Sequence, residues 1–347
     1  MTKRLIFIAL LLAGIASAIP GAAQTNNQPE YRLLAAVRAA TLEKELNEAA
    51  QQGYRLEKVS QWIGIASLAA LMSRPAGTAP AQRFEYRTVS LKQFEQQKDE
   101  LLKQGFDYRA LLTPSLFSFN SAGAIMLLER EGSGSAVPYE YELIQSGSES
   151  KLQTLLDNAS SGGFVPAGML LAQGHGTVVV MRRDRTNPAA EMGKREYRLL
   201  STRKVSTLEK EMNQAAQEGF RCALSSQGQN VLMARDYKPR DQARYEYKLV
   251  GLGRSENSSE KTLNELVKQG CVFRGTTTYG LTVIFERQAG AAASASSIEF
   301  RVLTTRSEAT MQKEIQSAVA QGFLPLSLSG SSGNFIAILR REVNQGN

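Results

Sequence analysis

The sequence predicts an α+β protein built from six tandem β-α-β-β repeats, each a small, mainly antiparallel sheet covered by one helix. Three observations carry this. A Glu-aromatic opening recurs at Glu30-Tyr31, Glu85-Tyr86, Glu140-Tyr141, Glu196-Tyr197, Glu246-Tyr247 and Glu299-Phe300, with aromatics 55, 55, 56, 50 and 53 residues apart. A Gly followed by an apolar residue closes each unit's helical stretch, at Gly53, Gly105, Gly163, Gly219, Gly270 and Gly322. The Gly follows the aromatic at an offset of 19 to 23 positions, so a near-constant core alternates with loops of varying length. That is the signature of one supersecondary unit copied along a chain.

Each unit opens as a strand. In Tyr245-Glu246-Tyr247-Lys248-Leu249 the apolar and charged residues alternate, placing Tyr245, Tyr247 and Leu249 on one face. A helix follows. Counted back from the Gly, positions −11, −7, −4 and −3 are Leu42, Leu46, Ala49 and Ala50 in the first unit, Leu208, Met212, Ala215 and Ala216 in the fourth, and Met311, Ile315, Ala318 and Val319 in the sixth. These offsets form one helical stripe. The third unit keeps Leu152, Leu156 and Ala159. The second and fifth depart, with Lys98 at −7 and Ser259 at −11, and carry Leu101-Leu102 and Leu266-Val267 at −4 and −3. Ser206 and Glu209 have capping-box spacing for the fourth helix. The Gly ends the helix in the left-handed region, and the next residue (Tyr54, Phe106, Phe164, Phe220, Cys271 or Phe323) folds back as a core anchor. Two more strands complete the unit, the last ending in charge, as at Glu129-Arg130, Arg182-Arg183, Arg235-Asp236, Glu286-Arg287 and Arg340-Arg341.

The predicted repeats span residues 29–74, 83–131, 138–184, 195–236, 244–288 and 298–343. Pro/Gly/Ala/Ser stretches at 75–81, 132–138, 187–193 and 290–297, and a charged junction near Pro239, read as linkers. First and fourth units share a nearly identical helix opening (Thr41-Leu42-Glu43-Lys44-Glu45 and Thr207-Leu208-Glu209-Lys210-Glu211), and second and fifth share Lys-Gln-Gly. A duplicated three-unit block accounts for this and predicts two pseudo-equivalent halves.

The unit resembles a small bacterial family known as domain of unknown function 4177. The resemblance rests on Tyr245-Glu246-Tyr247-Lys248-Leu249-Val250 and Tyr139-Glu140-Tyr141-Glu142-Leu143-Ile144, and on the Gly-aromatic helix stop, where Tyr or Phe stands for the family's Trp. It covers nearly all of residues 30–342. It implies a fold and no activity, so no catalytic residue is carried over.

Residues 1–23 have the form of a secretion signal: Lys3 and Arg4, an apolar run over 5–13, and Ala16-Ser17-Ala18 as a cleavage site, with Gly21-Ala22-Ala23 as a second. Retention as an uncleaved anchor is the alternative. No later run is long enough to span a bilayer, so a periplasmic or secreted mature chain without a transmembrane segment is expected. The net charge is +8, or +6 without Lys3 and Arg4, spread without a run of five basic residues. It carries no specific nucleic-acid signal.

No catalytic, cofactor-binding or metal-ligating constellation is expected. His175, the single histidine, lies in a Gly-His-Gly turn and cannot build a multi-His metal site. No nucleophile elbow, zinc-protease helix or phosphate loop appears. Cys222 and Cys271 are the only cysteines; each reads as a small core residue, and together they are a candidate disulfide if their strands are neighbours. Trp62 and the apolar run 63–72 read as buried in the first unit, with a docking patch as the alternative. The opening glutamates Glu30, Glu85, Glu140, Glu196, Glu246 and Glu299 form a candidate surface row: either a set of carboxylates for cations or a basic partner, or partners of the arginines that end the closing strands. The expectation is a non-catalytic exported binding or scaffold protein of the envelope, engaging protein, peptide or glycan. The alternatives are a carboxylate-dependent hydrolase of envelope polysaccharide and a binder of a small ligand between units.

Overall fold

In a computed structural model of the chain, residues 28–63, 68–77, 83–113, 124–132, 134–172, 176–187, 195–226, 230–236, 244–252, 255–277, 281–290, 298–331 and 333–343 are described. The signal-like N-terminus, His175 and most of the linkers lie outside them.

The first unit comprises β1 (Glu30–Ala36), α1 (Ala39–Gln51), β2 (Arg55–Ile63) and β3 (Leu68–Arg74). The second comprises β4 (Phe84–Ser90), α2 (Leu91–Lys103), β5 (Asp107–Leu112) and β6 (Ile125–Glu131), and the third β7 (Tyr139–Ser146), α3 (Glu149–Ser161), β8 (Val165–Ala172) and β9 (Gly176–Asp184). The fourth runs β10 (Arg195–Leu200), α4 (Val205–Gln217), β11 (Arg221–Ser225) and β12 (Val231–Asp236). The fifth runs β13 (Tyr245–Gly251), α5 (Glu256–Lys268), β14 (Val272–Thr277) and β15 (Thr282–Gln288), and the sixth β16 (Ile298–Thr305), α6 (Glu308–Ala320), β17 (Leu324–Ser331) and β18 (Asn334–Glu342).

Within each unit the closing strand lies in the middle and pairs antiparallel with the other two. It is buried on both faces because two helices flank it. Leu68, Ala70 and Met72 of β3 point into a core with α1, whereas Ala69 and Leu71 of the same strand meet Met311, Ile315 and Ala318 of α6. The same relation recurs at the other junctions: α1 against the second unit, α2 against the third, α3 against the fourth, α4 against the fifth and α5 against the sixth. Because α6 packs on β1, the six units close into a ring sealed by six shared cores. β17 also pairs with β2, parallel, through Gly330↔Trp62 and Ser331↔Ile63. The units therefore all point the same way around the axis.

The helical stripes lie where the spacing places them. Leu42, Leu46, Ala49 and Ala50 are buried in α1, and the matching residues are buried in α4 and α6. In α5 the odd Ser259 is buried too; in α2 Phe94, Leu101 and Leu102 are buried while Lys98 is half-exposed beside Glu95. Each helix ends as predicted. Phe220 N–H donates to Ala215 O and Gly219 N–H to Ala216 O, with Gly219 at φ +89°; the other five glycines make the same pair of bonds.

One expectation is corrected. Ser206 does not cap α4: the helix begins at Val205, its N-cap is Lys204 without a side-chain bond, and Glu209 instead accepts from Leu249 N–H across the junction. The capping box is on α2, where Ser90 and Gln93 bond reciprocally. The linker stretch 132–138 is packed where it is described. Val137 is buried and donates to Leu102 O, and Gly134 packs backbone-to-backbone on Gly105. Val137 joins the core between α2 and the third unit.

The exposed edge of an opening strand would be open to pairing with another chain. Here the preceding helix covers it with side chains. Asn47, Asn213 and Asn264 each bond both the N–H and the carbonyl of the opening aromatic of the next unit. Gln312 does the equivalent for β1, accepting from Leu33 N–H and donating to Tyr31 O.

Candidate functional site

The second strands form the inner wall of the ring. β2, β5, β8, β11 and β14 touch in succession, β17 meets β2, and Thr276 Oγ1 lies 3.5 Å from Ser327 Oγ to join β14 to β17. All six carry a bulge four residues after the helix-ending glycine, at Glu57, Arg109, Ala167, Ala223, Arg274 and Leu326. A bulge bends a strand and increases its twist. Repeated at one position, it lets six edge strands curve around a common axis.

Beside that axis lies a cavity of about 310 Å³ lined by residues 56–59, 108–111, 167–170 and 224–226, from four units. Its charged lining groups among the described residues are Glu57, Lys58 and Arg109. Gly168 is needed here because a Cβ would overlap the Tyr108 hydroxyl. A larger groove of about 680 Å³ runs between α1 and β4. Three of its polar lining groups are engaged: Asn47 with the Tyr86 backbone, Glu43 with Thr88, and Glu85 with Arg130.

Two buried networks flank the inner wall. In one, Tyr86 donates to Glu129 (2.9 Å) and accepts from Leu56 N–H (2.7 Å), while Arg55 (2.9 Å) and Arg109 both bind Glu129. In the other, Tyr247 donates to Glu286 (2.7 Å) and accepts from Cys222 N–H (2.8 Å), while Arg221 (2.7 Å) and Arg274 bind Glu286. Burial pushes both tyrosine hydroxyls well above the ordinary phenol range. Burial also raises the Glu286 carboxyl, against the opposing pull of Tyr247 and Arg221. Sequence inspection reads Glu129 and Glu286 only as terminal charge. The available signal is register: each stands opposite its unit's opening tyrosine, where other units have Ser73, Arg182, Ala234 or Arg340.

The six opening glutamates each pair with the arginine directly opposite on the closing strand: Glu30 with Arg74, Glu85 with Arg130, Glu140 with Arg183, Glu196 with Arg235, Glu246 with Arg287, and Glu299 with Arg341. Five of these lie at 2.5–2.6 Å. The arginine also serves the helix end. Arg235 stacks 4.6 Å over Phe220 and donates to Glu218 O; Arg74, Arg183 and Arg341 make the same two contacts in their units. In three units a second arginine covers the other side of the ring, as Arg198 does over Phe220. The hexad is therefore a half-exposed rim of salt-bridged pairs at one end of the ring.

A disulfide between Cys222 and Cys271 is not formed; both are free. Cys222 packs in the core between the fourth and fifth units and Cys271 in the core between the fifth and sixth, so the fifth sheet separates them. Leu68, Ala69, Ala70, Leu71 and Met72 are buried, while the Trp62 side chain lies outside the described residues. Among the described residues, no cluster of three or more His, Cys, Asp or Glu is arranged to hold a metal, and no helix is long and apolar enough to cross a membrane. Comparison with family models, curated proteins and solved structures finds no match.

Proposed function

We propose that this chain is an exported, non-catalytic scaffold of the periplasm or cell exterior that binds a protein, peptide or glycan of the envelope. One observation carries the reading. Six equivalent units are locked into one ring that presents the same charged Glu–Arg pair six times around one rim. A rigid repeated surface favours an extended or multivalent partner, since each added contact is made at little further entropic cost. Lys3, Arg4, the apolar run and the small-residue cleavage sites support export. The likeness of the unit to domain of unknown function 4177 belongs to the same proposal and adds no activity to it.

The tagged mature chain, cross-linked in envelope extract beside an unrelated protein of similar charge, tests the proposal. A partner recovered reproducibly with this chain and not with the control is expected. Replicates that share no specific partner overturn it.

A further inference from the structure

We propose that the axial cavity is a binding site for a compact anion, a small molecule bearing a carboxylate or phosphate group, held by Lys58. This residue lines the cavity from β2 of the first unit. Lys58 is half-buried and has no hydrogen-bond or ion-pair partner among the described residues. Withdrawing an ammonium group partly from water without a counter-charge is costly, and an anion seated in the cavity offsets that cost.

The charge around the site points the same way. Arg109 also lines the cavity, from a network in which it shares Glu129 with Arg55. Glu57 is the one carboxylate among the described lining residues, and it already accepts from Ser73 (2.6 Å). The volume of about 310 Å³ lies at the lower end for ligand pockets, which suits a small acid and not a polymer. The ligand is thus of a different kind from the envelope partner proposed above, and neither proposal depends on the other.

Calorimetric titration of the mature chain with succinate and, separately, with inorganic phosphate tests the inference. Saturable binding of one anion per chain is expected, and the arm that binds identifies the group recognised. Lys58→Ala should weaken that binding by about tenfold or more. Lys58→Gln, which keeps the side chain's length, should do the same if the alanine variant folds poorly. Lys268→Ala, at the exposed end of α5, should leave it unchanged. Absence of saturable binding in both arms overturns the proposal. So does equal weakening by the Lys58 and Lys268 variants, which would reveal only attraction to a basic surface.

Discussion

The junction between the fourth and fifth units and that between the fifth and sixth share a backbone plan but are filled differently. At the first, the opening aromatic is Tyr247, and its hydroxyl ties Glu286, Arg221 and the Cys222 backbone into one buried network. At the second, the opening aromatic is Phe300, which packs with Phe285 (5.8 Å) and Phe273 (6.3 Å). The closing-strand residue opposite is Arg340, exposed, in place of a buried glutamate. At these two junctions the opening ring with a hydroxyl faces a buried carboxylate, and the ring without one faces an exposed arginine. A buried ion network contributes less net stability than its many bonds suggest, because desolvation opposes it. The aromatic junction should therefore carry more of the ring's stability, and the charged one more of its register.

The largest effect is expected at the aromatic junction. Phe285 is fully buried, and Phe285→Ala should cost about 3–5 kcal/mol in urea-induced unfolding. A loss below about 1 kcal/mol would mean that the junction repacks freely and the comparison fails. Next comes Glu286→Ala, which strands Arg221 and Arg274 beside the Tyr247 hydroxyl. The half-exposed arginines can recover some water, so the expected loss is about 2–3 kcal/mol, below the range for a fully buried pair. Glu129→Ala should match it within about 1 kcal/mol if the two networks are equivalent. A wide gap between the two variants would argue against pseudo-equivalent halves.

Tyr247→Phe converts the charged junction toward the aromatic one by a single atom. It leaves Cys222 N–H without its acceptor and Glu286 with one donor fewer, and should cost about 1–2 kcal/mol by the same unfolding measurement. A neutral result would mean that the network holds no more than the ring's packing does.

The repeat, the helical stripes and the helix stops are legible in the sequence because each depends on residues close together in the chain. Gly219 and Phe220 announce a helix end by local geometry alone. Ring closure is not legible, since it depends on Met311 and Ile315 meeting Ala69 and Leu71 at the far end of the chain. Nothing in an isolated β-α-β-β pattern says which helix covers the second face of a sheet. The arginine partners of the six glutamates are half legible: the closing charges are visible, but the register that sets Glu246 opposite Arg287 is not. Lys58 is one lysine among many until four strands converge beside it. Ser206 misleads because its spacing to Glu209 mimics a cap, while Glu209 is committed to the next unit.

The smallest perturbation uses the two cysteines, one in each junction. Burial pushes the Cys222 thiol up to about 12 and also raises that of Cys271. Only the thiolate attacks a disulfide reagent, so at pH 8 both should label slowly in the folded ring and rapidly once it is unfolded. Intact mass should show two free thiols. Mass loss from a bridge, or fast labelling of the folded protein, would contradict the placement of the fifth sheet between them. Labelling in sub-denaturing urea then compares the junctions directly. Both thiols rest against the same three-stranded sheet, so one cooperative ring exposes them together. Exposure of Cys222 well before Cys271 would show that the charged junction opens alone. That outcome would turn the difference between Tyr247 and Phe300 into a difference in dynamics.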